Sequence, residues 1–424
     1  MQGFRKLVAF AATVLCIPLA AIAQETPIKI GVVSFLSGAA AGPFGVPARN
    51  AAEFTFEMLN AGKVPAPYAT KGFGGAPLRM SLVDESGGTT TQVTEFRNMV
   101  QRDNVDLVIG YISSGSCLGI APVAEELKKL TVFFDCGTPR IFEERDYKYV
   151  FRTASTATMD SVGAALYMKD LKPNAKIIAG VNQNYAWGQD SWGDFELSMK
   201  QIFPKITVGT SQMPKLFAGQ YNAEISTLLS AKADVIHSSF WDGDLEAFIL
   251  QAGPRGLFKR STVILTTGET AMYKLADKIP DGVVIGARGP YGPYAPDNEL
   301  NKWYSAAFQD RYGVPPNYAA YQMTQAILGT KAAWEKAQAA NGGKRPSDEQ
   351  VIAAFENLTF VSPGGEVRMA IGKGHQAITE TAYGVSKKVG GKMTVANVKR
   401  YPAEMVNPPD GVKAADWINN GFKK

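Results

Sequence analysis

The chain has 424 residues, 46% of them hydrophobic and 20% charged, with a formal net charge of +5. That balance describes an ordinary globular protein, and without a dense Lys/Arg block nucleic acid is not an expected partner. Three cysteines and two histidines, His237 and His375, are too few and too scattered for a zinc site, so no metal or cofactor is expected.

The first 23 residues read as a secretory signal peptide. Arg5 and Lys6 form a basic start, residues 7–20 an apolar core, and Ala21-Ile22-Ala23 a cleavage site before Gln24. Cys16 follows Leu15 rather than a small residue, which favours soluble export over a lipid anchor. The remaining chain is long enough for two domains. Its cysteines, Cys117 and Cys136, both follow predicted strands. In an oxidising compartment a disulfide between them and a pair of buried free thiols are both open readings.

Residues 28–33 predict a buried strand, 34–45 a small-residue loop, and the segment to Asn60-Ala61-Gly62 a capped helix. Strands follow at 78–83, 105–109 and 131–134, with helices at 90–101 and 120–129 between them. Strands alternating with helices predict a parallel, doubly wound α/β sheet. An extended crossing at 149–153 leads into a second lobe of the same design. Its strands are expected at 176–181, 206–208, 234–239, 262–266 and 282–286. A second crossing is expected around 288–294. Helices at 299–312, 317–338 and 348–358 would pack back on the first lobe. A third crossing is placed at 361–365, and strands near 382–385 and 392–395 would finish the second lobe. The expected division is therefore 24–150 plus 290–360 for lobe 1 and 151–289 plus 361–424 for lobe 2.

Ligands of such sheets bind outside the carboxyl ends of the strands. The loops after the first, third and fourth strands share that edge and bring together Ser37 and Phe44, Ser114 and Ser116, and Gly137 and Thr138. Strand, hydroxyl loop and helix present free amides to an anion, and Ser114 and Ser116 add hydroxyl donors, so a ligand carboxylate is expected there.

Residues 28–38, the helix end Leu59-Asn60-Ala61-Gly62, Ser113-Ser114-Gly115-Ser116, Phe151-Arg152-Thr153, Tyr185-Ala186-Trp187-Gly188 and 364–376 together resemble one family. It is that of the periplasmic substrate-binding proteins of branched-chain amino acid ABC transporters. The resemblance implies two lobes joined by three hinge crossings, a type I periplasmic binding protein, closing on a ligand in the cleft. It implies a carboxylate held by Ser114 and Thr138, with a backbone group from Cys136. Phe44 would lie over the ligand, and Tyr185, Trp187, Phe240 and Glu269 would reach it from the second lobe, Glu269 taking an ammonium group. The partners implied are a small carboxylate and a membrane permease, with the protein a periplasmic monomer. The crowding of Phe44, Tyr185, Trp187, Phe240, Trp241 and Tyr291 departs from the branched-chain pattern and opens an aromatic acid as ligand beside a hydrophobic amino acid.

Several of these residues also have structural readings. Trp187 and Trp241 could be core, Phe44 could pack on its own helix, and Glu269 could be a solvated loop acid. Asp242 and Asp244 suit caps or surface charges, and Arg152 suits bracing a hinge. A ligand sensor presenting its closed form to a membrane receptor has the same sequence requirements as a transport protein. An exported hydrolase would need a nucleophile and a base. No Gly-x-Ser-x-Gly elbow occurs, and Ser114 with His237 is the one imaginable pair.

Overall fold

A computed structural model describes residues 26–423; the expected signal peptide lies outside them. In chain order the strands are β1 (Ile28–Ser34), β2 (Leu78–Asp84), β3 (Leu107–Gly110), β4 (Thr131–Phe133), β5 (Val150–Arg152), β6 (Ile177–Val181), β7 (Thr207–Gln212), β8 (Val235–Ser238), β9 (Thr262–Leu265), β10 (Val284–Gly286), β11 (Thr359–Ser362), β12 (Gly365–Ile371), β13 (Gln376–Ile378), β14 (Thr381–Val389) and β15 (Lys392–Tyr401). They form two sheets, ordered β11-β12-β13-β5-β4-β3-β1-β2 and β15-β14-β10-β9-β8-β6-β7.

Each sheet has a parallel centre. β2, β1, β3, β4, β5 and β13 run parallel, as do β7, β6, β8, β9 and β10. The central strands are covered by helices on both faces, which is why β3 reads as an unbroken apolar run and every one of its residues is buried. At the edge, β7 alternates exposed and half-buried positions. Strand order reverses beside β1 in one sheet and beside β6 in the other. The loops after β1, β3, β6 and β8 therefore open onto crevices.

The chain passes between the sheets three times: after β5, after β10, and between β13 and β14. Three crossings were expected, but the third is not at 361–365. Pro363 and Gly364 turn a hairpin between β11 and β12 within the first sheet, and β13 then pairs with β5 through Gln376 and Arg152. The Pro-Gly-Gly run signalled a break in regular structure and carried no information about which sheet followed. Residues 361–378 thus belong with the first sheet, not with lobe 2.

The helix after β3 runs Ser114–Glu126, six residues earlier than expected, with Pro122 inside it. Pro122 resembled a first-turn proline, yet the small residues before it are already helical. Cys117 in this helix and Cys136 after β4 are joined by a disulfide, 19 residues apart. Arg152 braces the first crossing by donating to Gln376 Oε1, to the Cys136 carbonyl and, at 2.6 Å, to the Thr138 carbonyl. No helix among the described residues is long and apolar enough to cross a membrane. Among them no cluster of three or more His, Cys, Asp or Glu could hold a metal.

A cross-link closing a loop of this length stabilises by about 3 kcal/mol through the unfolded state. The double variant Cys117→Ala/Cys136→Ala should lose that amount in a denaturant titration under oxidising conditions; an unchanged midpoint would show that the bond contributes nothing to stability.

Candidate functional site

Where the two sheets' carboxyl ends face each other, a narrow cavity of about 10 Å³ is lined by residues from both. Ile112, Ser114, Asp135 and Gly137 come from the loops after β3 and β4. Tyr185, Trp187, Trp241 and Thr267 come from the loops after β6, β8 and β9. Arg288 reaches in from the second crossing and Tyr318 from the start of the helix Tyr318–Ala340.

Arg288 sets the electrostatics. Its guanidinium is buried and pairs with Asp135, with Asp160 at 3.1 Å, and with the Ser155 carbonyl at 3.0 Å. It lies over the Trp187 ring at 4.5 Å. A buried guanidinium needs this many partners to offset lost hydration. Burial pushes the Asp160 carboxyl well above the usual carboxylate range.

Before the helix Ser114–Glu126, where free amides were expected to meet a ligand carboxylate, two amides are taken by a carboxyl of the chain itself. Glu85, after β2, is buried and accepts the Ile112 and Ser113 amides at 2.8 Å each. Burial raises its carboxyl to about 8 in spite of those two donors. Ser114 Oγ accepts the Thr138 amide at 3.2 Å, which leaves its own hydrogen free for the cavity. The Trp241 indole N–H is buried without a protein partner.

Of the residues named from sequence, Ser114, Tyr185 and Trp187 line the cavity. Trp187 donates to the Ser239 carbonyl at 2.8 Å, and its ring fills the space a side chain at Gly137 would need. Phe44 stands one layer back, edge-on to Trp241 and Tyr318 with ring centres 5.3 Å away in both cases, and so supports the wall. Ser116 faces an adjoining outer chamber with Phe35, Glu85 and Phe217. Thr138 gives its hydroxyl to Asp190 Oδ2 at 2.6 Å across the cleft. The same Asp190 holds Arg140 at 2.9 and 2.5 Å.

Three expectations need correction. Phe240 is core of the second lobe, with Tyr221 at 4.7 Å and Phe248 at 5.5 Å, because the chain turns so that Trp241 takes the cleft side. Cys136 has both backbone groups engaged, its amide with the Ile112 carbonyl and its carbonyl with Arg152. Glu269 is fully buried and is not among the cavity-lining residues; it accepts the Tyr318 amide at 3.0 Å. Asp242 and Asp244 are buried local braces. Asp244 accepts from Gln183 at 2.8 Å and from the Phe217 amide at 2.7 Å. His237 stacks on Phe195 at 4.4 Å and meets Thr266 Oγ1 at 3.2 Å, so it is not paired with Ser114.

Sequence reasoning missed Asp135, Arg288 and Tyr318. The available signal for Arg288 was a lone cation in a Gly-Ala-Arg-Gly-Pro crossing directly after a buried strand.

No curated protein matches the chain. Solved structures do. A solute-binding protein of an ABC transporter from Rhodopseudomonas palustris BisB5, in complex with 3,4-dihydroxybenzoic acid, superposes with a TM-score of 0.76 at 20% identity, over 89% of this chain and 98% of that one. A second R. palustris solute-binding protein, in complex with benzoate, gives 0.75 at 20% identity, over 91% and 99%. A leucine-binding protein from Thermotoga maritima gives 0.71 at 17% identity, over 88% and 98%. At these identities the likeness establishes the fold. A model of the periplasmic binding protein family matches residues 27–392. With two lobes, three crossings and a closed cleft between them, the chain belongs to the periplasmic binding protein family and is a solute-binding protein.

Proposed function

We propose that the protein is exported, cleaved after Ala23, and acts as a periplasmic monomer that captures a small aromatic carboxylate and hands it to the membrane permease of an ABC transporter. Its work is binding and release, with no covalent step. Ligand touching both lobes stabilises the closed form over the open one.

The observation that carries the ligand class is the cavity wall. Tyr185, Trp187, Trp241 and Tyr318 surround the space, and its one acidic lining residue, Asp135, is already paired with Arg288. An α-amino acid would have to seat its ammonium on Asp135 in competition with a buried guanidinium, and breaking such a pair costs about 3–5 kcal/mol. An aromatic acid needs only a ring-shaped apolar slot and donors for its carboxylate. The Ser114 hydroxyl and the Trp241 N–H supply them. The benzoate and dihydroxybenzoate complexes of the R. palustris proteins support this direction. The leucine-binding neighbour marks the competing one.

Thermal-shift screening of ligand-stripped protein tests the assignment. Benzoate-type acids at 100 times their Kd should add about 2.7 kcal/mol, a rise of a few degrees, while leucine and valine leave the midpoint unchanged. The opposite pattern would return the ligand to the branched-chain amino acids.

Ser114→Ala should weaken benzoate binding by about 1–3 kcal/mol, the range for losing a hydrogen bond to a charged group. Calorimetry showing an unchanged Kd would remove Ser114 from the site. Asp190→Ala should speed ligand release about fivefold by loosening closure, as surface-near ion pairs contribute modestly. Thr138→Val should do the same. If Thr138 acts only through Asp190, the double variant matches the stronger single one; additive losses in stopped-flow release would instead place the Thr138 hydroxyl on the ligand.

A further inference from the structure

We infer that Glu269 is a latch between the lobes rather than a ligand contact: from the second lobe its carboxyl caps the first turn of the helix Tyr318–Ala340 in the first, fixing Tyr318 in the cavity wall as the cleft closes. The inference rests on the reading that ligand is bound by lobe closure.

Glu269 opens the short helix Glu269–Met272 that follows β9 of the second sheet. The helix Tyr318–Ala340 packs on the helix Val46–Ala61 and against β3, β4 and β11 of the first. Glu269 Oε2 accepts the Tyr318 amide at 3.0 Å. Oε1 is buried without a partner and lies against the second crossing, where a Cβ added to Gly292 would overlap it. One carboxyl therefore touches both lobes and a hinge. The long helix has its own cap, since Asn317 accepts the Ala320 amide at 3.2 Å, but that leaves the Tyr318 amide unserved. The first amides of a helix have no partner within it, and a buried one left bare is costly. Opening the cleft exposes the Tyr318 amide to water; closing it removes the water and substitutes Glu269.

The groups facing this carboxyl are tyrosines. Tyr273 comes from its own segment, Tyr318 and Tyr321 from the capped helix, and Tyr294 from the crossing. None carries a positive charge. Burial accordingly raises Glu269 from 4.5 to about 8 in the closed form. In an open cleft it regains water and the lower value. Closing therefore takes up a proton between those two values. The contribution to closure is complete below about 4.5, declines as pH rises toward about 8 and is gone above it. At neutral pH the latch is largely the neutral acid, whose carbonyl oxygen accepts the Tyr318 N–H. A glutamine can imitate it.

The test compares wild type, Glu269→Gln and Glu269→Ala, with benzoate and leucine as probes, by calorimetry from about pH 5 to 9. Glu269→Gln should keep the benzoate Kd within about twofold of wild type at pH 6 and flatten its rise with pH. Glu269→Ala should weaken whichever probe binds about tenfold. A Glu269→Ala Kd within twofold of wild type, or a loss confined to leucine, would overturn the latch, the latter making Glu269 an ammonium partner. If wild type binds neither probe, the ligand assignment fails by itself. Amide exchange at Tyr318 in ligand-free protein then decides: faster exchange in Glu269→Ala supports the latch, and equal exchange overturns it.

Discussion

The buried pairing of Arg288 with Asp135 and Asp160 is the interaction on which the closed molecule depends. Its members come from four places: Asp135 from the loop after β4, Asp160 from the helix Ala157–Leu171, Ser155 from the first crossing, and Arg288 from the second. A guanidinium stripped of water is tolerable only where all of these converge, so its burial requires both crossings and both sheets to be in position together. The same group then forms one side of the cavity and lies over Trp187. Asp135 is thereby committed to Arg288.

Around that anchor, closure is distributed over contacts of different kinds. Asp190 gives the exposed side of the cleft a charged clasp on Thr138 and Arg140. Phe35 and Phe44 of the first lobe meet Trp241 of the second at 5.9 and 5.3 Å, an apolar seam that is indifferent to pH and salt. Glu269 adds the cap on the Tyr318 helix deeper in. The hydrophobic core of the first lobe extends to Trp187 and Trp241 of the second. The ligand space is thus an interruption in a hydrophobic core shared by two lobes.

Much of this was legible in the residues. Parallel central strands are buried on both faces, so β1 and β3 announce themselves as apolar runs; topology placed Ser114 at a strand end, while Tyr185 and Trp187 followed from the family resemblance. What failed to show was pairing over long separations. Asp135 and Arg288 are 153 residues apart, and no local pattern in either segment names the other. Phe240 and Trp241 are neighbours with similar chemistry, and the path of the loop between β8 and the helix Asp242–Ala252 decides which faces the cleft. Glu85 goes unmarked because its partners are two backbone amides, which leave no trace in a sequence. Helix capping by a carboxyl from the other lobe, as at Glu269, is hidden for the same reason.

The three crossings also bear on the order in which the molecule can be made. β5 pairs with β13 through Arg152 and Gln376, and Arg152 is locked by Gln376 across a separation of 224 residues. The second sheet likewise waits for β14 and β15 to cover β10. Neither sheet can be completed while the last third of the chain is unsynthesised, and loop closure over such lengths makes assembly slow. A polypeptide emerging from the ribosome therefore has no finished lobe to fold into.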